Sequence, residues 1–108
     1  MVEVVTRSEL RALLPVLQRF TDRARRSMDD RLRRLEESDD PLDEDLTLAA
    51  IEAIVERWRE DMVLLGGAPT GLWQVEFRSA GGWYVWECGD TEVVGIRSHA
   101  MEPRASLH

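Results

Sequence analysis

The residues best suited to chemistry lie near the C-terminal end of the chain. Cys88, Asp90, Glu92 and His99 offer a thiol, two carboxylates and an imidazole. Such groups bind metal ions, and a thiol beside an imidazole can act as a nucleophile. Their spacing matches no zinc pattern, and a lone cysteine at a strand end is usually a small buried hydrophobic residue. We therefore predict no catalytic residue and no cofactor, with Cys88, Asp90 and His99 as weak candidates for a metal site.

Tryptophan is the second unusual feature, with four in 108 residues. Aromatic side chains either line ligand pockets or fill cores and interfaces. We favour core or interface positions for Trp58, Trp73 and Trp86. Trp83 is expected to be the most exposed and is a candidate for a contact surface.

A group of arginines on the first predicted helix is a candidate anion-binding stripe, because guanidinium groups bind phosphate well. The group comprises Arg19, Arg23, Arg26, Arg33 and Arg34. The net charge of −7 opposes general affinity for nucleic acid. We favour a solvated helix face that pairs with an acidic helix, and expect no nucleic-acid partner.

An acidic run at residues 36–45 has two interpretations. It is either a solvated turn followed by helix-start charges or a divalent cation site. The run lacks the alternating ligands and the central glycine of a calcium loop, which favours the solvated turn.

The first helix is predicted over residues 6–36. Thr6 and Glu9 form a capping box, and Pro15 either kinks the helix or marks its true start. The following positions step by four and three residues, with polar residues at two of them. They are Leu10, Leu14, Leu17, Thr21, Ala24, Met28, Arg31 and Leu35.

The second helix is predicted over residues 41–65. Asp40 suits the N-cap, Pro41 the first helical position, and Gly66-Gly67 a stop signal. Its seam is regular and consists of Leu48, Ile51, Val55, Trp58, Met62 and Leu65. The two helices are expected to fold into an antiparallel hairpin.

The charges of the two helices are opposite. Residues 7–34 hold nine arginines and four acidic residues, whereas residues 35–61 hold eleven acidic residues and two arginines. A basic helix beside an acidic helix is electrically matched, although each exposed pair contributes only about 0–1 kcal/mol.

A three-stranded antiparallel meander is predicted over residues 72–98, with a tail at 99–108. Its strands are Leu72–Ser79, Trp83–Cys88 and Glu92–Ser98. We favour the register that places Trp86 opposite Val94 and Tyr84 opposite Ile96. The alternative register sets the like charges of Glu87 and Glu92 against each other.

Both helices carry apolar residues beyond their main seams. They are Leu13, Val16, Phe20 and Leu32 on the first helix, and Leu46, Ala50 and Ile54 on the second. A two-helix hairpin cannot bury apolar stripes on two sides by itself. Part of this surface should meet the sheet, and the remainder predicts a homodimer, for example through a four-helix bundle. The candidate interaction residues are Trp83, Phe20, Ile54, Arg23 and Arg26.

Length and composition limit the class of protein. The 108 residues are expected to form one domain, residues 1–108, with a modest core. A single cysteine suits a reducing cytoplasm. We find no pattern typical of a signal peptide or a membrane span, and expect no membrane association.

Three stretches resemble motifs of an uncharacterised bacterial family of unknown function. Leu10–Pro15 resembles its helix start, Gly71–Phe77 its first strand, and Tyr84–Asp90 its Trp-x-x-Gly-Glu segment. The family's late Trp-His corresponds to Ile96-Arg97, and the cysteine before its tryptophan to Val85. The resemblance implies the helical pair with C-terminal strands, no established activity, and loss or displacement of any site built on those two family residues.

The sequence thus predicts an α+β fold, a long antiparallel helical hairpin followed by a three-stranded antiparallel β-meander. We expect a small non-enzymatic cytoplasmic module for protein–protein interaction or oligomerisation, with a homodimer or another protein as partner. One alternative is a small-ligand or metal-binding module that uses the Trp-rich sheet. Another is an anion or nucleic-acid binder that uses the first helix.

Overall fold

The computed structural model describes residues 4–92 and 94–96. Two helices, α1 and α2, precede a sheet of four strands, β1 to β4. Their bounds are α1 Arg7–Glu36, α2 Pro41–Leu64, β1 Ala68–Gly71, β2 Gln74–Ser79, β3 Gly82–Glu87 and β4 Val94–Ile96. The predicted α+β fold, a helical hairpin followed by an antiparallel meander, is confirmed. The predicted tail at 99–108 lies outside the described residues.

Local capping sets the helix boundaries. The Thr6 hydroxyl accepts a hydrogen bond from the Glu9 amide, and the Glu9 carboxylate accepts one from the Thr6 amide. The Asp40 carboxylate likewise accepts from the Leu42 amide at the start of α2. Pro15 lies inside α1, so the helix starts at Arg7 and not near the proline.

The end of α2 is a Schellman motif. Gly66 has a φ of 93°, and its amide donates to the Val63 carbonyl. The Gly67 amide donates to the Met62 carbonyl at 2.9 Å. The chain therefore leaves α2 in a defined direction and enters the sheet at once.

The core lies between the hairpin and one face of the sheet. Its fully buried apolar side chains come from both helices, β2 and β3. They are Leu10, Leu17, Trp58, Met62, Val75, Phe77 and Trp86. The predicted core positions of Trp58 and Trp86 are confirmed, and Trp73 is half-buried with its ring edge-on to Trp58 at 5.1 Å.

Thr21, one of the polar residues in the apolar seam of α1, is part of this core. It is fully buried, and its hydroxyl accepts a hydrogen bond of 2.8 Å from the Trp58 indole N–H. The bond satisfies a donor that water cannot reach. It also fixes the height of α2 against α1.

Replacing Thr21 with valine is expected to lower the free energy of unfolding by about 1–3 kcal/mol, because the Trp58 N–H would stay buried without an acceptor. Thr21→Ser keeps the hydroxyl and is the matched control. Urea denaturation followed by tryptophan fluorescence measures both. A valine variant as stable as the wild type would contradict this role of the hydrogen bond.

The sheet contains one strand more than the sequence predicts. The predicted meander is present as β2, β3 and β4, and β1 adds an edge strand in the order β1-β2-β3-β4. Pro69 is tolerated because an edge strand leaves one side unpaired. Leu72 and Trp73 form the turn between β1 and β2, so β2 starts at Gln74 and not at Leu72.

The favoured register between β3 and β4 is wrong. Val85 lies opposite Val94, and Trp83 opposite Ile96. The observed pairs belong to the alternative register. The Asp90 side chain accepts a hydrogen bond from the Glu87 amide in the connection between the strands. This local hydrogen bond was not part of the charge argument against that register.

The sheet covers only part of the hairpin. The molecule is elongated, with principal dimensions of 52, 34 and 23 Å. The described hydrogen bonds and ring contacts that join helices and sheet reach Arg25 on α1 and Trp58 on α2. Residues 26–57, the distal hairpin, extend beyond them.

Candidate functional site

A concave surface lies between α1 and α2. It has a volume of about 480 Å³. Its floor is apolar and is formed by Phe20, Ala24, Ala50, Ala53 and Ile54. We call it the hairpin groove. Small residues on α2 keep it open, because a methyl group at positions 50 and 53 leaves room above the helix.

The rim of the hairpin groove is charged. Arg23, Arg31, Arg57 and Asp61 line its sides. The Arg23 guanidinium lies 5.2 Å from the centre of the Phe20 ring. The surface therefore combines apolar area with a net positive edge.

The groove and the sheet lie on opposite sides of the hairpin. Arg25 of α1 donates to the Cys88 sulfur on the sheet side. Arg23 lines the groove, and two residues along a helix turn the side chain through about 200°. The groove is therefore not covered by the chain's own sheet.

Exposed leucines continue the groove along α2. Leu42, Leu46 and Leu64 are 59%, 58% and 83% exposed. They lie seven or eleven residues from Ala53, and these spacings return a side chain to nearly the same helix face. Exposed leucines thus lie near both ends of α2 on the groove side, with the charged Arg57 and Glu60 between Ala53 and Leu64.

In the described part of the chain, no ion pair with a defined geometry joins α1 to α2. In residues 4–92, the ion pairs with a described geometry are Arg33–Asp30 and Arg57–Asp61, and each lies within one helix. The expected match between the basic and the acidic helix is therefore not made by these contacts. Both helices keep exposed charge for another surface.

The predicted metal candidates do not assemble into a site in the described part of the chain. Arg25 lies 3.2 Å from the Cys88 sulfur, and this cation opposes binding of a second cation there. The Asp90 carboxylate is used by the Glu87 amide. His99 lies outside the described residues, and among those described no group of three His, Cys, Asp or Glu side chains is arranged to hold a metal.

The predicted interaction residues separate into two groups. Phe20, Ile54 and Arg23 line the hairpin groove. Arg26 is exposed but does not line it. Trp83 is half-buried, like Trp73, and lies opposite Arg78 on the sheet face that turns away from the core.

Two contacts that position the sheet were not foreseen. The Gln18 side chain donates to the Asp90 carbonyl at 3.4 Å, and the Arg7 guanidinium lies 5.7 Å from the Tyr84 ring centre. Both residues are polar positions on α1 beside the apolar seam. Their helical phase relative to Leu14 and Leu17 is the signal that could have placed them towards the sheet.

No family model, curated protein or solved structure compared with the chain matches it. The resemblance of its short motifs to an uncharacterised bacterial family therefore stays a prediction. In the described residues, no helix combines the length and the apolar character needed to cross a membrane.

Proposed function

We propose that the chain is a small non-enzymatic module that acts through protein–protein contact, and that it self-associates through the hairpin groove. One observation carries the proposal. The apolar floor of the groove and the exposed leucines on the same side of α2 are not covered by the chain's own sheet. Exposed apolar surface of this kind is typical of interaction sites.

The length of the distal hairpin supports the same function. Two helices that extend beyond the rest of the fold bury little apolar surface between them, which limits their stability. Leu32 and Leu48 are 41% and 58% exposed there, although both are residue types that gain stability on burial. Contact with another surface would stabilise this part of the chain.

The proposed location of the protein is a reducing compartment. The chain has one cysteine and hence no internal disulfide. The Cys88 thiol lies beside Arg25 in a fold stabilised by its apolar core. A cytoplasmic location suits such a protein.

Sedimentation of the untagged full chain over roughly 1–500 µM, a range typical of moderate affinities, tests the proposal. We expect the mass to rise from one chain to two with concentration. Ala53→Glu places a charge on the groove floor and should keep the chain monomeric. Ala80→Glu adds the same charge in the β2–β3 turn and should not. A wild-type chain that is monomeric throughout would overturn the proposal.

A further inference from the structure

Six exposed charges on the two helices that form the hairpin groove have matched spacing. On α1 they are Arg19, Arg23 and Arg34, and on α2 they are Asp45, Glu56 and Glu60. The arginines are separated by four and then eleven residues. The acids are separated by eleven and then four. Two rows with the same spacing in reverse order can be superposed when their helices run antiparallel.

A contact in the core sets the position of each row along the hairpin axis. Thr21 and Trp58 share a hydrogen bond, so they lie level with each other. Both helices rise by about 1.5 Å per residue and run in opposite directions. Arg23 is therefore level with Glu56, Arg19 with Glu60, and Arg34 with Asp45.

Within one chain these level residues do not meet. Arg23 lines the α1 side of the groove. On α2, Glu56 and Glu60 directly precede the lining residues Arg57 and Asp61, so each points about 100° away from its neighbour, towards the outer side of the helix. The rows thus lie on the outer edges of a shared face. All six side chains are exposed, and none belongs to an ion pair with a described geometry.

We propose that the hairpin groove binds a second copy of this chain, with the two-fold axis along the hairpin, so that α1 of each copy packs against α2 of the other. This inference rests on the proposed function and specifies its partner. A 180° rotation about that axis does not change the position of any residue along the axis. It brings the arginine row of one copy against the acidic row of the other at both edges of the interface.

The opposite orientation is electrostatically unfavourable. A two-fold axis perpendicular to the helices would pack α1 against α1 and α2 against α2. Like charges would then face each other, because α1 is basic and α2 is acidic along most of their lengths. Charge therefore selects a bundle in which each basic helix has two acidic neighbours.

The face is large enough for a stable dimer. Twenty helical residues extend about 30 Å, and two packed helices present a width of about 20 Å. A face of roughly 600 Å² in projection corresponds to a somewhat larger accessible area, close to the roughly 800 Å² per partner of a standard interface. The exposed Leu42, Leu46 and Leu64 contribute its apolar part.

Charge reversal tests the arrangement in the full chain. Arg19→Glu with Arg23→Glu, and separately Glu56→Arg with Glu60→Arg, should each raise the dimer dissociation constant by about 10-fold or more, because several interfacial pairs change from attraction to repulsion. The four changes combined in one chain should restore the constant to within about threefold of wild type. Arg11→Glu with Arg59→Glu is the control, since both side chains are exposed and neither belongs to the row or lines the groove.

The outcomes separate the two proposals. A wild-type chain that dimerises, is weakened by each reversal and is rescued by their combination supports the arrangement. If it dimerises but the reversals act no more strongly than the control pair, or the combined variant is not rescued, the arrangement is overturned and self-association stands. A monomeric wild type overturns both. Circular dichroism of every variant must show the wild-type helix content. A variant that fails this check is replaced by the corresponding neutral pair, Arg→Gln or Glu→Gln. The same order of dissociation constants is expected for these neutral pairs.

Discussion

Replacing Trp58 with alanine is expected to destabilise the protein by about 3–5 kcal/mol, the largest effect of any single core change. Trp58 is 1% exposed and contacts both helices and the sheet. It donates to Thr21 on α1 and packs edge-on against Trp73. The alanine would leave a cavity at the point where the three parts meet. Guanidinium denaturation followed by circular dichroism measures the loss.

A phenylalanine at the same position separates packing from hydrogen bonding. Trp58→Phe retains most of the volume but removes the indole donor. Thr21→Val should then cost less in the Trp58→Phe background than in the wild type, because no donor is left without an acceptor. Equal costs in the two backgrounds would contradict the coupling of these side chains. A small loss for Trp58→Ala would contradict the central position of Trp58 in the core.

Replacing Gly67 with alanine is expected to cost about 1–3 kcal/mol or more through overpacking. A Cβ at this position would lie 2.5 Å from Val75 Cγ2 and 2.9 Å from Phe77 Cε1. Both neighbours are fully buried, so neither can move without disturbing the core. Gly67 thus permits the close approach of the α2–β1 connection to β2.

Gly81→Ala is the matched control for this substitution. A Cβ at Gly81 would have no neighbour within 4 Å, and the residue lies in the exposed β2–β3 turn. Its effect on the free energy of unfolding should be within about 0.5 kcal/mol. Thermal unfolding of the two variants side by side makes the comparison. Equal stability of both would show that the clash at Gly67 is relieved without cost.

The helices could be predicted because their signals are local. The capping box at Thr6 and the cap at Asp40 each involve residues close in sequence. The seams could be predicted from spacing in part, since Leu10, Leu17 and Met62 are fully buried as the heptad pattern requires. The predicted burial of Leu48 is wrong: it is 58% exposed, because it lies in the distal hairpin beyond the sheet. The role of Thr21 could not be predicted from sequence. It depends on the position of α2 along α1, which tertiary packing sets.

The strands were less predictable because their pairing is non-local. Ala68–Gly71 contains glycine and proline and has no alternating pattern, so the sequence predicts no strand there. It becomes a strand because the Schellman motif delivers the chain to the edge of β2. The register of β4 depended on the loop held by Asp90, which pair preferences between strands do not capture.

The candidate site was predictable in its members but not in its form. Phe20 and Ile54 were identified as apolar residues outside the main seams, and both line the groove. The role of Ala53 as part of an open floor could not be inferred from its type. The correspondence between the arginine and acidic rows also required the Thr21–Trp58 hydrogen bond, since only that contact sets which residues are level.

A distance between the two hairpin turns tests the central claim most directly. Asp39→Cys in a Cys88→Ser background places one spin label in the exposed turn of each chain. With the two-fold axis along the hairpin, pulsed electron paramagnetic resonance should give one distance of roughly 20–35 Å, the width of a helical bundle plus the labels. A distance beyond about 40 Å, the length of the hairpin, or no intermolecular coupling at concentrations where the chain is saturated, would contradict the account.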